Sequence, residues 1–377
     1  MMPLSLIVRA EGHRVTGSDR SLDQGRIASK FNWLTDQGIA LFPQNGSGVT
    51  SANQIVVAST AVEDSVPDIA AAIALGCERL SRADLLAQLF NASSQSIAVA
   101  GTSGKSTVTG MIGWIFHALG KDPTVMNGAV MKNFVSDEAP FASALVGKGP
   151  VFISEVDESD GSIALYRPDI AVLNNIALDH KSMDELRELF TGFLSHARIA
   201  VLNADSDEVM ALPRGNAVTY SLNGTTADLM AQDISERPDG VDFTVNDVPI
   251  SLQAPGRHNV SNALAALGAA VAAGITLEDA ARALGGFTGL RRRLEVVGMS
   301  NGITVIDDFG HNPDKIAATL NALHAFPGRL LLFFQPHGYG PLRIMGADLG
   351  RMLRDKMAED DRQIGRASCR ERVWSDV

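Results

Sequence analysis

The sequence is poor in cysteine, in basic relative to acidic side chains, and in long apolar runs. Two cysteines in 377 residues, Cys77 and Cys369, cannot build a disulfide framework. The formal net charge of −11 argues against nucleic acid or an anionic membrane as the main partner. No apolar stretch reaches transmembrane length, and no secretory signal is recognisable. We therefore expect a cytoplasmic protein without membrane insertion that acts on small molecules; its oligomeric state is not predicted.

A glycine-rich segment separates the strand-like run 96–99 from a long amphipathic run. It consists of Gly101, Thr102, Ser103, Gly104, Lys105, Ser106 and Thr107. Glycines let the backbone approach phosphate oxygens, and N–H groups at a helix start cradle an anion. Lys105 supplies a charge for the outer phosphates, and Ser106 a hydroxyl for Mg²⁺. The pattern is a short variant of the phosphate-binding loop, because Val99 stands where the strict pattern has glycine. A nucleoside triphosphate site is predicted, and a chance glycine loop is the alternative.

Two further strand-like runs end in polar side chains. The run 152–156 leads through Glu155 into an acidic turn, which is typical of a Mg²⁺ site at a strand end, although a solvated acidic turn is the alternative. The run 170–173 leads to Asn175 and to Asp179-His180. A neutral His180 can ligate a second cation or be structural, and the residues alone leave both readings open.

The second half of the chain carries more polar groups at predicted element ends. Asn259 and Asn262 follow His258 at the start of an alanine-rich helix, where they can contact a nucleotide or cap the helix. Arg292 and Arg293 can clamp a phosphate or form a solvated basic turn. Predicted strands at 303–306 and 330–334 run into Asp308 and His311, and into His337. Such strand ends are where α/β proteins form ligand sites.

Both ends of the chain are unusual. The sequence opens on a predicted helix over 1–8, without the first strand of a nucleotide-binding fold, so we expect the true N-terminus upstream. Ser18 and Asp19 follow a predicted strand at 14–16, where Asp19 can accept ribose hydroxyls or cap a helix. Residues 364–373 match the translation of a common sequencing adapter, so we expect the native sequence to end near residue 363.

Taken together, these motifs resemble the Mur ligase family over residues 1–363. The matching blocks are Gly101–Ser106, Glu155–Asp160, Asn175-Ile176 with Asp179-His180, Gly256–Asn262, Arg292–Glu295 and Asp307–Phe309. The resemblance implies an α/β fold of three domains: a Rossmann-like N-terminal domain, a central P-loop ATPase and a partial Rossmann-like C-terminal domain. The expected boundaries are 1–90, 91–297 and 298–363, with a non-native tail at 364–377.

The resemblance also implies an activity. Members of the family phosphorylate a carboxylate with ATP, and an amine then attacks the acyl phosphate. The expected cofactors are ATP and Mg²⁺, and the expected partners are UDP-N-acetylmuramate and a small amine. The catalytic residues would be Lys105, Glu155, His180, Arg292 and Arg293, with Ser106, Glu155 and His180 as metal ligands. The loop Gly101–Thr107 would bind ATP together with Asn175, His258, Asn259, Asn262 and Asp308. The substrate residues would be Ser18, Asp19, His311, His337 and Tyr339.

Several departures bear on the amine. Some relatives carry a modified lysine about fifteen residues after the metal histidine, but Ser195 stands there, which fits the L-alanine-adding branch. Around Tyr339 that branch usually has two arginines, which are missing here, and its His-His-Pro is His311-Asn312-Pro313. These last two departures leave open an amine other than L-alanine. L-alanine stays the amine that the resemblance implies, a recycling ligase that attaches a preformed peptide is the alternative, and a fragment that only binds nucleotide is a third reading.

Overall fold

The computed structural model describes residues 1–177, 181–336 and 339–363. Its N-terminal part alternates helices with short strands. In chain order these are α1 Met2–Ala10, β1 Thr16–Gly17, α2 Arg20–Asp23, α3 Ala28–Asp36, β2 Ala40–Leu41, β3 Ile55–Ala58, α4 Pro67–Leu75, β4 Glu78–Ser81 and α5 Arg82–Ala92. Strand β1 pairs with β2, and β3 with β4, both in parallel. The opening helix is confirmed, whereas the strand predicted at 14–16 lies at Thr16–Gly17.

The central part is built on one large sheet. Its elements are β5 Gln95–Ala100, α6 Lys105–Ala118, β6 Thr124–Met126, β7 Ala144–Leu145, β8 Val151–Glu155, β9 Ile170–Leu173, α7 Met183–Ser195, β10 Ile199–Asn203, α8 Asp207–Met210, β11 Ala217–Ser221, β12 Leu229–Arg237, β13 Gly240–Val245, β14 Val248–Leu252, α9 Arg257–Ala272 and α10 Leu277–Leu284. Two short 3₁₀ turns lie at Lys132–Phe134 and Ser162–Leu165. The ten strands follow the order β14-β13-β12-β11-β10-β9-β5-β8-β6-β7. Pairing is parallel from β6 to β12 and antiparallel at both ends.

Both faces of the middle strands β5, β8 and β9 are buried, which explains why these strands are mostly apolar. Successive side chains of a strand point to opposite faces. Ile97 and Val99 of β5 therefore enter a core with helices α6, α9 and α10, while Ala98 and Ala100 enter a second core with α1, α5 and α7. Small alanines on the second face leave room for large aromatic side chains such as Phe90 of α5.

The strand order also decides where a ligand site can form. Strands β9, β5 and β8 are direct neighbours and run in parallel, so their carboxyl ends meet at one edge. The glycine loop after β5, the acidic turn after β8 and the asparagines after β9 thus converge, although they are distant in sequence. This edge is where open α/β sheets bind ligands.

The C-terminal part is smaller. It contains β15 Glu295–Ser300, β16 Ile303–Asp307, α11 Pro313–Leu323, β17 Leu331–Leu332, α12 Tyr339–Lys356 and β18 Arg362–Gln363. Strands β15 and β16 form an antiparallel pair, and β17 pairs in parallel with β18. The strand predicted at 330–334 is formed by Leu331–Leu332, which pair with Arg362 and Gln363. Within the described ranges, no helix combines the length and apolar character needed to cross a bilayer.

Candidate active site

A cavity of about 520 Å³ lies at the carboxyl edge of the central sheet. Six segments line it: the glycine loop with the start of α6, the end of β8 with the turn after it, Asn175 after β9, the start of α9, residues 287–294, and the residues after β16. Most of the residues predicted to bind ATP or Mg²⁺ or to act in catalysis border this one space. They are Thr102, Ser103, Gly104, Lys105, Ser106, Thr107, Glu155, Asn175, His258, Asn259, Asn262, Arg293 and Asp308. Residues predicted from separate motifs are therefore brought together by the fold.

The glycine loop needs its glycines for backbone geometry and for space. Gly101 has φ +126° and Gly104 has φ +84°, a region that other residues rarely adopt. A Cβ on Gly104 would lie 2.5 Å from Asn262 Oδ1 and 3.0 Å from Asn174 Nδ2. The loop is thus pressed against both β9 and α9, and Gly104 directly precedes the first helical residue, Lys105.

Asn175 fixes the loop to the end of β9. Its Oδ1 accepts hydrogen bonds from Thr102 Oγ1 at 2.8 Å and from Ser103 N at 2.9 Å, while its Nδ2 donates to Ser103 O at 3.2 Å. The amide predicted to contact nucleotide is thus engaged in holding the loop, although it also borders the cavity. These contacts within the protein shape the loop, and a preformed loop lowers the entropy cost of binding.

Lys105 points into the cavity and forms an ion pair with Glu158. Lys105 Nζ lies 2.8 Å from Glu158 Oε2 and 3.1 Å from Oε1, and it also donates to Gly101 O at 2.8 Å. The side chain of Glu158 is only 6% exposed and that of Lys105 is 20% exposed. The sequence motif contained Glu158 but gave it no role, because an ion pair across two loops has no local signature.

Ser106 and Glu155 form an oxygen-rich pair deeper in the cavity. Ser106 Oγ donates to Glu155 Oε2 at 2.7 Å. Burial raises the pKa of Glu155 above its usual range, and neither the Ser106 hydrogen bond nor the Lys105 charge fully offsets this. Asp157 on the cavity rim has a lowered pKa: desolvation raises it, but hydrogen bonds from Ser159 and the charge of Lys105 outweigh that effect.

The chemistry of this pair fits a hard divalent cation. Mg²⁺ binds through few protein oxygens and keeps several waters, so one carboxylate and one hydroxyl suffice. The raised pKa of Glu155 indicates a buried carboxylate that lacks a full positive partner. Within residues 1–177, 181–336 and 339–363, no cluster of three or more His, Cys, Asp or Glu side chains has metal-binding geometry. His180, predicted as the second metal ligand, lies outside the described residues, as does Asp179.

The start of α9 contributes an amide pair and a histidine. Asn259 and Asn262 are buried on one face, as predicted, and Asn262 Nδ2 donates to Asn259 Oδ1 at 3.1 Å. Asn259 Nδ2 donates to Pro255 O at 2.7 Å. Burial lowers the pKa of His258, against the opposing charge of Asp308, so its imidazole is neutral at physiological pH.

Arg292 and Arg293, which the sequence assigned to one phosphate-binding role, have different surroundings in the structure. Both guanidinium groups stack on Phe309, at 4.8 Å for Arg292 and 5.1 Å for Arg293. Arg293 borders the cavity, whereas Arg292 is 59% exposed and lies 3.5 Å from Asp307. Burial lowers the pKa of Arg293, although the charges of Asp308 and Glu155 oppose the shift. Arg293 is thus the arginine that faces the acidic groups across the cavity.

Asp308 accepts three hydrogen bonds that hold together the C-terminal side of the cavity. Its Oδ1 accepts from Leu294 N at 3.0 Å, and its Oδ2 accepts from Gly310 N at 2.8 Å and from Thr319 Oγ1 at 2.9 Å. His311 also borders the cavity, with its Nε2 at 3.3 Å from Lys315 Nζ. Lys315 is a cavity residue that the sequence analysis missed; its position one turn into the helix after Asp308 was the available signal.

The residues predicted for the substrate are only partly brought to the cavity. His311 borders it, but Ser18 and Asp19 do not. Ser18 donates to Asp68. Asp19 Oδ1 accepts from Ser21 N at 2.8 Å, so Asp19 caps helix α2, as the alternative interpretation of this residue expected. His337 lies outside the described residues. Tyr339 begins α12.

These features define a phosphate-binding-loop α/β protein whose loop faces a cavity shared with a C-terminal unit. Comparison with known proteins narrows the class. The profile of the "Mur ligase family, catalytic domain" matches residues 1–94, the "Mur ligase middle domain" matches 99–270, and the "Mur ligase, glutamate ligase domain" matches 292–359.

Individual relatives agree with these matches. The UDP-N-acetylmuramate–L-alanine ligase of Acidithiobacillus ferrooxidans is 37% identical over 359 residues, covering 89% of this chain and 75% of the relative. That of Magnetococcus marinus is 35% identical over 364 residues, covering 90% and 74%.

Solved structures share the fold. The crystal structure of the UDP-N-acetylmuramate–alanine ligase of Thermotoga maritima aligns with TM-score 0.79 at 23% identity, covering 97% of this chain and 88% of that one. A murein peptide ligase from Psychrobacter arcticus aligns with TM-score 0.72 at 28% identity, covering 90% and 77%.

The chain belongs to the Mur ligase family. It is accordingly an ATP-dependent ligase of peptidoglycan synthesis, and the three-domain α/β architecture expected from its motifs is confirmed.

Replacing Gly104 with alanine tests the tight fit of the loop. We expect Gly104→Ala to lose stability by about 1–3 kcal/mol and to bind nucleotide weakly, because its Cβ overlaps Asn262. Gly120→Ala is the matched control: φ is also positive, at +69°, but no atom lies within 4 Å of the added Cβ. It should lose about 1–2 kcal/mol through backbone strain alone and keep its nucleotide affinity. Equal nucleotide affinities in both variants, measured by calorimetry, would contradict the account.

The two arginines provide a second matched pair. We expect Arg293→Ala to lower kcat/KM by roughly 10²–10³-fold, the usual effect of removing a group that stabilises developing charge. Arg292→Ala removes an exposed guanidinium with the same aromatic contact and should have less than about a tenfold effect. Steady-state kinetics decide it, and a larger loss for Arg292 would reverse the assignment.

Proposed function

We propose that the chain couples an amino acid, L-alanine, to the carboxylate of UDP-N-acetylmuramate at the expense of ATP. The observation that carries this proposal is the convergence of Lys105, the Ser106–Glu155 pair and Arg293 on a single cavity. Relatives named UDP-N-acetylmuramate–L-alanine ligase, at 35–38% identity, support the choice of substrates. A cytoplasmic location, where ATP and UDP-sugars are available, is part of the proposal.

In this proposal the ATP phosphates lie along the glycine loop. The N–H groups at the start of α6 and Lys105 hold the β- and γ-phosphates, and Asn259, Asn262 and His258 line the nucleoside side. Ser106 and Glu155 would hold Mg²⁺, which neutralises phosphate charge when bound. Negative charge spreads over the phosphoryl oxygens during transfer, so a guanidinium at Arg293 stabilises the transition state.

The second half of the reaction involves the C-terminal unit. The acceptor carboxylate takes the γ-phosphoryl group and becomes an acyl phosphate, and the amine attacks its carbonyl carbon with loss of phosphate. His311 and Lys315 approach the cavity from α11 and the segment before it. We propose that they orient the amine or the leaving phosphate. The domain limits at 90/91 and 297/298, the metal role of His180 and the substrate roles of Ser18, Asp19, His337 and Tyr339 stay predictions.

A murein-recycling ligase is the second candidate. The observation that favours it is the likeness to the murein peptide ligase of Psychrobacter arcticus, at 28% identity and TM-score 0.72. Both candidates share the acyl phosphate and differ in the amine. A screen of ADP release with single amino acids and with the tripeptide of the cell wall separates them, since each enzyme should turn over with one class only.

The ATP role of the loop is tested by Lys105→Ala. We expect roughly 10²–10³-fold lower ADP release with UDP-N-acetylmuramate and amine present, because the cation for the outer phosphates is lost. Lys121→Ala, an exposed lysine just after the same helix, is the control and should behave like the wild type. Wild-type turnover by the Lys105 variant would show that the loop is only structural.

The pKa of Glu155 leads to a pH prediction. Its folded value is raised above the ordinary 4.5, so the native carboxyl keeps its proton to higher pH than in the unfolded chain. Because Mg²⁺ needs the carboxylate, Mg²⁺ affinity should rise as the pH rises from 4.5 through the folded pKa of Glu155. Glu155→Gln should remove this rise, whereas Asp157→Asn should retain it, since the pKa of Asp157 is lowered. An unchanged pH profile in Glu155→Gln, followed by calorimetry, would contradict the assignment.

A further inference from the structure

The ammonium group of Lys105 is fully engaged by oxygens of the protein itself. It has three N–H donors, and three acceptor oxygens lie within 3.1 Å: Gly101 O and both carboxylate oxygens of Glu158. The lysine that the loop offers to phosphate is therefore held by another anion. A phosphate oxygen can be bound only if one of these contacts is exchanged.

The ion pair with Lys105 is the main contact of the Glu158 carboxylate in the described part of the chain. Its side chain is 6% exposed, and among the described residues Lys105 supplies the side-chain hydrogen bonds that it accepts. Burying a carboxylate is costly unless it is paired, so the Glu158 position is stabilised by the lysine as much as the reverse. The turn that carries Glu158 follows β8 directly, so the anion lies opposite the loop by virtue of strand order.

We propose that Glu158 is a positioning residue: it holds Lys105 at the mouth of the loop in the nucleotide-free enzyme and competes with the ATP phosphates for its ammonium group. The proposal rests on the proposed binding of ATP at this loop. It adds a specificity element, because the ligand must replace at least one carboxylate contact on the ammonium. A chain of phosphates provides several oxygens along the loop, whereas inorganic phosphate provides one group.

The competing interpretation is that Glu158 is only structural or only preorganises the lysine. The two ideas predict opposite effects when the charge is removed. If Glu158 competes with phosphate, Glu158→Gln frees the ammonium and nucleotide binds more tightly. If it merely orients the lysine, the same change leaves affinity unchanged or weakens it.

The test is calorimetric binding of a non-hydrolysable ATP analogue with Mg²⁺ to the full chain. We expect Glu158→Gln to lower the Kd by roughly tenfold, in line with the coupling measured for close, partly buried charge pairs. Asp160→Asn is the matched control, because it removes one charge from the same turn but does not border the cavity. It should leave the Kd within about twofold, as expected for a screened, exposed charge. Glu158→Asp, which keeps the charge, should stay closer to the wild type than to the glutamine variant.

A double-mutant cycle with Lys105→Ala isolates the pair. The gain in nucleotide affinity from Glu158→Gln should disappear in the Lys105→Ala background, because there is no ammonium group for which Glu158 and phosphate can compete. An equal gain in both backgrounds, a gain equal to that of Asp160→Asn, or weaker binding by a Glu158→Gln variant with wild-type circular dichroism would each overturn the proposal. Failure of the wild type itself to bind the analogue would instead overturn the proposed ATP role of the loop, and the competition with it.

Discussion

The site depends on the close approach of the glycine loop to the end of β9. Asn175 bonds both to the loop backbone and to Thr102, and Gly104 fits between Asn174 and Asn262 without room for a side chain. This contact sets the direction in which α6 leaves the loop, and hence where Lys105 and Ser106 point. Packing thus places the ammonium group of Lys105 and the hydroxyl of Ser106.

Electrostatics then determines what the cavity can hold. Three acidic side chains lie at or just after the end of β8, namely Glu155, Asp157 and Glu158, and Lys105 and Arg293 oppose them. The raised pKa of Glu155 and the lowered pKa of Arg293 both come chiefly from burial, so neither charge is fully compensated. A polyphosphate with a divalent cation provides a positive partner for Glu155 and a negative partner for Arg293. This complementarity connects the fold of an ATP-dependent Mur ligase to its chemistry.

The sequence predicted the local parts of this arrangement well. The loop, the opening helix and the apolar strands β5, β8 and β9 were predictable because each has a short-range signature of glycines or buried periodicity. The ion pair between Lys105 and Glu158, the different surroundings of Arg292 and Arg293, and the approach of Lys315 were not. They arise from contacts between segments that are distant in sequence, such as Lys105 and Glu158 at a separation of 53 residues, and no single-sequence pattern encodes such contacts.

In the proposed reaction, ATP phosphorylates a carboxylate in this cavity and water is not the acceptor. The most direct measurement uses UDP-N-acetylmuramate with ¹⁸O at both carboxylate oxygens, with ATP, Mg²⁺ and L-alanine, and mass analysis of the released phosphate. The account predicts one ¹⁸O atom in each phosphate, because the acyl phosphate breaks when the amine attacks its carbonyl carbon. Phosphate that carries oxygen from water instead, with ADP formed at the same rate, would contradict it.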